Sequence, residues 1–275
     1  MLYAREQQVA ATAARAAGAA ILQIYSSGPI AVDTKADSSP VTDADRAANE
    51  LIVNHLSAAF PADAILSEES PDDLGRLNSG RVWIVDPLDG TRDFVARTGD
   101  FCVHIALAVD GVPVVAVVFH VVENTLFAAT RGHGAFREIG NAAGAERTAL
   151  RVSNQRAISA FRVGVSRTNP RPAMRAFLDD TGLGRGAVFI GASVKWMRLA
   201  QGELDAVVNV DGGEHEWDTC APELIVREAG GIVTDCDGHA FVYNQRDAVH
   251  SRGSIASNGI CHAQLVEWAR RKEAL

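Results

Sequence analysis

An apolar stretch, Val82-Trp83-Ile84-Val85, runs without interruption into Asp86-Pro87-Leu88-Asp89-Gly90-Thr91. Two aspartates three positions apart at the end of a strand are placed to do chemistry. Asp86 ends the strand, Pro87 stiffens the turn, and Asp89 folds back until both carboxylates face one point, with the Leu88 carbonyl between them. Hard oxygen atoms clustered in this way are what Mg²⁺ requires. The plainer reading makes both residues turn formers, one of them capping a helix that begins near Thr91. Gly90 and Thr91 favour the first reading. Backbone N–H groups at a helix N-terminus attract anions, and a glycine lets a phosphate approach the backbone. A divalent cation beside a phosphate seat is the equipment of phosphoryl transfer.

Two further acidic clusters complete such a cage: Glu68-Glu69 in Leu66-Ser67-Glu68-Glu69-Ser70, and Asp218 in Glu216-Trp217-Asp218-Thr219. In isolation Glu68-Glu69 reads as a solvated loop pair, whereas a buried pair of like charges argues for a cation. Asp218 reads equally as the N-cap of a helix running to position 229, with Pro222 tolerated in the first turn. A capping aspartate can still turn its other oxygen towards a metal. With two metals, one lowers the pKa of bound water and the other neutralises charge on the departing ester oxygen, so no protein nucleophile is needed. His104, His120 and His133 fall on or beside hairpin strands without companion ligands and read as structural or exposed. His215, between Glu214 and Glu216, is nearer the carboxylates and is placed to contact substrate. Trp196 and Trp217 read as packing residues.

Positioning these groups falls to elements whose outlines the hydrophobic periodicity supplies. Helical spacing covers residues 6–25, stopped by Gly28-Pro29, and again from Asp45 to just before Pro61, with Ala48, Leu51, Ile52, His55 and Leu56 on one face. A polar loop, 33–43, separates the two. Strands follow at 82–86, 101–109, 112–121 and 125–130, with Asp110-Gly111 as a hairpin joint. Beyond residue 150 strands (161–165, 187–190, 204–210, 231–235, 254–257) alternate with helices (173–180, 193–200, 219–229 and one from Cys261). The fold class is α/β with an α+β N-terminal part. The Gly/Ala-rich stretch 140–144 suggests two layered subdomains sharing a cleft. Residues 1–145 carry the metal motifs; 146–275 carry the substrate elements and the last metal ligand.

Composition narrows the partners. Hydrophobic residues at 47% and charged residues at 22% describe a folded soluble protein and exclude disorder or a disulfide-stapled miniature. A net charge of −8, without a basic run, speaks against a nucleic-acid polymer or an anionic membrane surface as partner. The four cysteines match neither zinc-ligand spacing nor a disulfide framework, which suits a reducing cytoplasm. No export signal is read at the N-terminus. The apolar stretch 112–122 holds Pro113 and His120 and is far short of the ~20 residues of a membrane span.

The set Asp45, Glu68-Glu69, Asp86-Pro87-Leu88-Asp89-Gly90-Thr91 and Trp217-Asp218 extends in that order across most of the chain. It resembles the signature of the magnesium-dependent, lithium-sensitive phosphatases of the inositol monophosphatase and fructose 1,6-bisphosphatase superfamily. The continuation Arg92-Asp93-Phe94 is similar to that of the CysQ-type 3′(2′),5′-bisphosphate nucleotidases, which favour a basic-acidic-Phe triplet there. The resemblance implies a layered αβαβα sandwich, and two or three Mg²⁺ held by Glu68, Asp86, Asp89, Asp218 and the Leu88 carbonyl. It implies that Asp45 pairs with Thr91, alongside Glu68, to orient and deprotonate the attacking water; Asp43 is the competing choice for that aspartate. Gly191-Ala192-Ser193-Val194-Lys195 is similar to the family's Gly-Ser-Ser-x-Lys segment. This implies Gly191 on the nucleotide and Lys195 on the phosphate, with Asp89, Gly90, Thr91 and Asp218 also facing substrate. Two departures stand out: Asn169 in Ser166-Arg167-Thr168-Asn169 where relatives carry histidine, and Cys220-Ala221-Pro222 where many carry Ala-Ala-Gly. The implied activity is removal of the 3′-phosphate of adenosine 3′,5′-bisphosphate, a by-product of sulfate assimilation, to give AMP and phosphate. A homodimer is also implied. Inositol monophosphate and fructose 1,6-bisphosphate are rival substrates, and a non-catalytic metal- or phosphate-binding protein is the rival of another class.

Overall fold

The computed structural model describes residues 2–35, 39–140, 146–167 and 172–273. Small side chains let α1 (Ala4–Ser26) lie flat on a sheet, with Ala10, Ala13, Ala14, Ala17 and Ile21 buried. The expected polar loop 33–43 instead contains a short hairpin, β1 (Val32–Thr34) against β2 (Pro40–Thr42). Next, α2 (Asp43–Ala59) starts two residues earlier than expected, because Thr42 and Asp45 form a capping box. Its buried stripe is Ala44, Asp45, Ala48, Ile52 and Leu56; Leu51 and His55 are only partly covered.

The main sheet runs in chain order: β3 (Ala64–Ser67), β4 (Arg81–Asp89), then, after the one-turn α3 (Thr91–Val95), β5 (Cys102–Val109), β6 (Val112–His120), β7 (Thr125–Thr130), β8 (Ala135–Ile139) and β9 (Arg147–Ala149). Only β3–β4 is parallel. The Asp110-Gly111 joint has φ of 49° and 77°, as a tight hairpin turn demands. Strands β8 and β9 escaped the sequence reading because β8 does not alternate clearly and β9 is exposed throughout. Asp86 does not end its strand. β4 continues to Asp89 with a shifted register: Asp86 opposes His104 and Asp89 opposes Cys102, so β4 carries one extra residue. Pro87, with no N–H to contribute to a ladder, is tolerated at such a bulge.

In the second half come β10 (Val163–Ser166), α4 (Pro172–Thr181), β11 (Ala187–Ile190), α5 (Val194–Ala200), β12 (Ala206–Asn209), β13 (Glu214–His215), α6 (Glu216–Glu228), β14 (Ile232–Thr234), β15 (Val249–His250), β16 (Ser254–Ser257) and α7 (His262–Glu273). Five of these strands form a sheet ordered β11-β10-β12-β16-β14, and β13 pairs with β15. Two expectations for α6 are corrected. The helix begins at Glu216 with His215 as N-cap, so Asp218 is its third residue, and Pro222 lies inside the helix rather than in its first turn. The Asp218 carboxylate causes the early start by accepting the His215 N–H at 2.6 Å.

Alternation along the strands divides the core into layers. One face of the main sheet buries Trp83, Val85 and Ile105 under α1 and α2. The other face packs Ile84 and Ala106 against Trp196 of α5 and Leu224 of α6, whose far sides meet Val207 and Ala256 of the smaller sheet. Outside that sheet, α4 and α7 cover Val163 and Ile255 with Phe177 and Leu265. The result is an αβαβα sandwich whose middle cluster draws on both sides of residue 145. The expected linker 140–144, apart from Gly140, and Asn169 lie outside the described residues. Among those residues, no helix is long and apolar enough to cross a membrane.

Candidate active site

The bulge in β4 turns two carboxylates towards the first turn of α6. One oxygen each from Asp86, Asp89 and Asp218 lie within 4.8 Å of one another. Asp86 is 1% exposed, and its Oδ1 accepts the Leu88 N–H at 3.0 Å, which keeps the intervening turn tight. Burial pushes the Asp86 carboxyl well above the usual carboxylate range, and Glu68, Asp89 and Asp218 push it further by like charge. Glu68, at the end of β3, rises to about 7, through burial first, with Lys35 opposing and Asp218 adding. Asp89 moves the other way, to about 2; burial alone would raise it, but His104, Lys195 and the Ser193 side chain outweigh burial.

The two residues expected to activate water, Asp45 and Thr91, meet at the junction of α2 and α3. Thr91 Oγ1 donates to Asp45 Oδ1 at 3.0 Å, while Asp45 Oδ2 accepts the Thr42 N–H and Oγ1–H at 2.7 and 2.6 Å. Asp45 is therefore buried and fully oriented. Asp43, the competing choice, is exposed and paired with Arg46. Gly90 caps α3 with φ of 95°, and a Cβ there would lie 2.8 Å from that of Ala192 and 2.9 Å from the Asp100 carbonyl. Only glycine fits.

A cleft of about 620 Å³ opens over these groups, lined by Glu68, Asp89, Gly90, Thr91, Lys195 and Asp218 among others. The Ser193 N–H donates to Asp89 Oδ2 at 2.5 Å, and Lys195 Nζ to the Ala192 carbonyl at 2.6 Å. Gly191 is not among the described residues lining the cleft; its N–H donates to Asp100 Oδ2 at 3.0 Å. Trp196 is packed in the core, and Trp217 stacks on His215 with centroids 4.5 Å apart. His120 is structural, lying 3.1 Å from the Gly99 carbonyl, and His133 is exposed.

Two residues near the carboxylates were missed from sequence. Lys35 Nζ lies 2.7 Å from Glu68 Oε1 and also reaches Glu69. His104 is fully buried between the clusters, with Nδ1 3.2 Å from the Trp217 carbonyl and Nε2 3.3 Å from Asp89 Oδ2, at ion-pair distance without hydrogen-bond alignment. The strand pairing of Asp86 with His104 would have found the second; a lone lysine in an acidic loop is the only signal for the first. Buried, like-charged carboxylates with shifted pKa values are strained without a counter-ion, and their donor set is all oxygen. That set fits a hard divalent cation. Asp86, Asp89, Asp218 and the Leu88 carbonyl, with Glu68 beside them, would hold it.

The family model described as inositol monophosphatase family matches residues 3–271. The chain belongs to the inositol monophosphatase family. Among the relatives of this family member, the 3′(2′),5′-bisphosphate nucleotidase CysQ of Escherichia coli (strain K12) is 35% identical over 242 residues, 87% of this chain and 94% of that protein. A 3′-phosphoadenosine 5′-phosphate phosphatase of Mycobacterium tuberculosis is 38% identical over 208 residues, 74% of this chain and 72% of its own. The crystal structure of CysQ from Bacteroides thetaiotaomicron, 31% identical, superposes with a TM-score of 0.79 over 93% of this chain and 98% of that one. These relatives are phosphatases, and this inositol monophosphatase family protein is an enzyme of the same kind.

Proposed function

We propose that the protein removes the 3′-phosphate of adenosine 3′,5′-bisphosphate, yielding AMP and phosphate, at a centre of two or three Mg²⁺. The carrying observation is the convergence of Asp86, Asp89 and Asp218 near the Asp45–Thr91 hydrogen bond, with Asp89, Thr91 and Asp218 lining one cleft together with Lys195. The names of the E. coli and M. tuberculosis relatives support the choice of substrate. Bound Mg²⁺ would supply Lewis acidity and charge neutralisation for in-line displacement at phosphorus. The chain's own residues do the rest. Thr91 Oγ1, whose hydrogen is committed to Asp45 Oδ1, presents a lone pair to the attacking water and passes that proton load to the carboxylate. Asp45 stays aimed because its second oxygen is held by Thr42. The Gly90 turn admits a phosphoryl group close to the backbone, and Lys195 attracts a second anionic group of the substrate.

In this reading residues 1–145 supply the metal motifs, and residues 146–275 supply the substrate segment and Asp218. The protein acts in the cytoplasm, consistent with four free cysteines, as a homodimer inhibited by Li⁺. Turnover of adenosine 3′,5′-bisphosphate, inositol 1-phosphate and fructose 1,6-bisphosphate, measured side by side in Mg²⁺, tests the proposal. A preference of about tenfold or more for the inositol or sugar ester would reject it. A non-catalytic cation site is disfavoured because the Asp45–Thr91 bond serves no purpose in merely holding a metal.

A further inference from the structure

The wall of the cleft that carries Lys195 is anchored by carboxylates from the opposite half of the chain. Gly191 and Ser193 donate their N–H groups to Asp100 Oδ2 and Asp89 Oδ2 at 3.0 and 2.5 Å. Asp93 fills the space beside Gly191: a Cβ there would sit 2.4 Å from Asp93 Oδ2, so any side chain at this position would have to displace the Asp93 carboxylate. Between them Ala192 has φ of 44°, a conformation that alanine adopts when its surroundings impose it. Asp93 and Asp100 have side chains only 5% and 13% exposed, and one guanidinium bridges both. Arg167 Nη1 lies 3.1 Å from Asp93 Oδ1 and Nη2 lies 2.5 Å from Asp100 Oδ2. Its own N–H donates to the carbonyl of Ile190, the residue before Gly191, at 3.1 Å.

The geometry points to Arg167 as a positioning residue for the organic part of the substrate: its two-pronged bridge across Asp93 and Asp100 sets the Gly191-to-Lys195 segment over the carboxylate cage. This inference rests on the nucleotidase reading, because a small ester held at Gly90, Thr91 and the cation centre has no use for that segment. A planar fork suits the task, since it satisfies two carboxylates at fixed angles where a lysine offers one mobile point charge. Without it the two aspartates repel each other, Gly191 loses its fixed acceptor, and the strained turn at Ala192 relaxes, displacing Lys195. Arg167 has no hydrogen bond or ion pair with Asp45, Thr91, Asp86, Asp89 or Asp218, and the segment's bond to the cage, from the Ser193 N–H to Asp89 Oδ2, does not involve Arg167, so the bond-breaking apparatus stays assembled while Gly191 and Lys195 move.

The test compares adenosine 3′,5′-bisphosphate with 4-nitrophenyl phosphate, in Mg²⁺, for the wild type, Arg167→Met, Arg167→Lys and Asp100→Asn. Arg167→Met is expected to raise KM for the bisphosphate about tenfold or more, with kcat changed by less than about threefold and KM for 4-nitrophenyl phosphate unchanged. Arg167→Lys recovers part of the loss, and Asp100→Asn reproduces the selective rise, which keeps the test decisive if Arg167→Met fails to fold. An equal rise for both esters, or no rise for either, overturns the positioning role. A wild type that turns over 4-nitrophenyl phosphate and shows no preference for the bisphosphate overturns the nucleotidase reading, and this inference with it. A wild type that prefers the bisphosphate, combined with variants that treat both esters alike, overturns the positioning role alone.

Discussion

Asp45 and Asp86 are both buried carboxylates, yet their neighbours give them different work. Asp45 has every oxygen committed to Thr42 and Thr91, whereas Asp86 faces other carboxylates. Asp45→Asn keeps the shape and the cation centre but cannot take up a proton from Thr91. Turnover should fall by about 100-fold or more, the usual worth of a general base, while calorimetry shows Mg²⁺ affinity nearly unchanged. Asp86→Asn or Asp218→Asn should do the reverse in calorimetry, weakening Mg²⁺ binding clearly, since each removes a charged donor from a three-carboxylate cluster. Undiminished affinity in both variants would place the cation elsewhere. The aspartate pair of the β4 turn stood out by residue type and spacing, whereas the acid of α6 read equally as a helix cap until the family resemblance singled it out. Lys35 and His104 were not, because what gives them meaning is their proximity to residues 33 and 15 positions or more away.

At the level of elements, α1 depends on how closely it can approach the sheet. A Cβ on Gly18 would lie 2.4 Å from the ring of Phe119, which is 3% exposed and has no room to swing aside. Gly18→Ala gains about 1 kcal/mol of helix propensity but loses about 1–3 kcal/mol through overpacking, a net loss of up to about 2 kcal/mol seen as a lower urea midpoint. The ladder of β13 and β15 carries His250, whose Nε2 lies 2.9 Å from Thr219 Oγ1. Burial lowers its pKa from 6.5 to about 4. The unfolded chain therefore binds this proton more readily than the folded one. Stability from this group is complete above pH 6.5 and declines as the pH drops towards about 4. In calorimetric scans with Mg²⁺ present, His250→Gln should show a shallower acid decline of Tm than the wild type; parallel curves would contradict that assignment.

For the whole molecule, a cation bound at the proposed centre would be thermodynamically linked to the fold. Ligand at about 100 times its Kd adds about 2.7 kcal/mol to stability, several degrees of Tm for a chain of this size. Treatment with EDTA should therefore lower Tm. Glu68, beside Asp86 in the proposed centre, contributes to the pH dependence of that gap. Its folded value of about 7, against 4.5 unfolded, means that the metal-free protein is helped by its protonation below pH 4.5 and loses that help as the pH rises through 7. Mg²⁺ bound at the proposed centre would displace the proton, so the Tm difference between loaded and stripped protein should widen from pH 5 to pH 8. A constant gap would show that Glu68 is not part of the centre. By itself, the sequence determined the layered α/β character, the helices and most strands, and the acidic blocks, because periodicity and residue chemistry are local properties written along the chain. Only the tertiary structure decided that Asp45 rather than Asp43 meets Thr91, that β4 bulges through Pro87 instead of ending, and that Asp218 sits inside α6 rather than at its cap. It also decided that Arg167 joins Asp93 to Asp100. Each of these depends on which distant backbone segment arrives within about 3 Å, a distance set by packing of the layers and not by any neighbour in sequence.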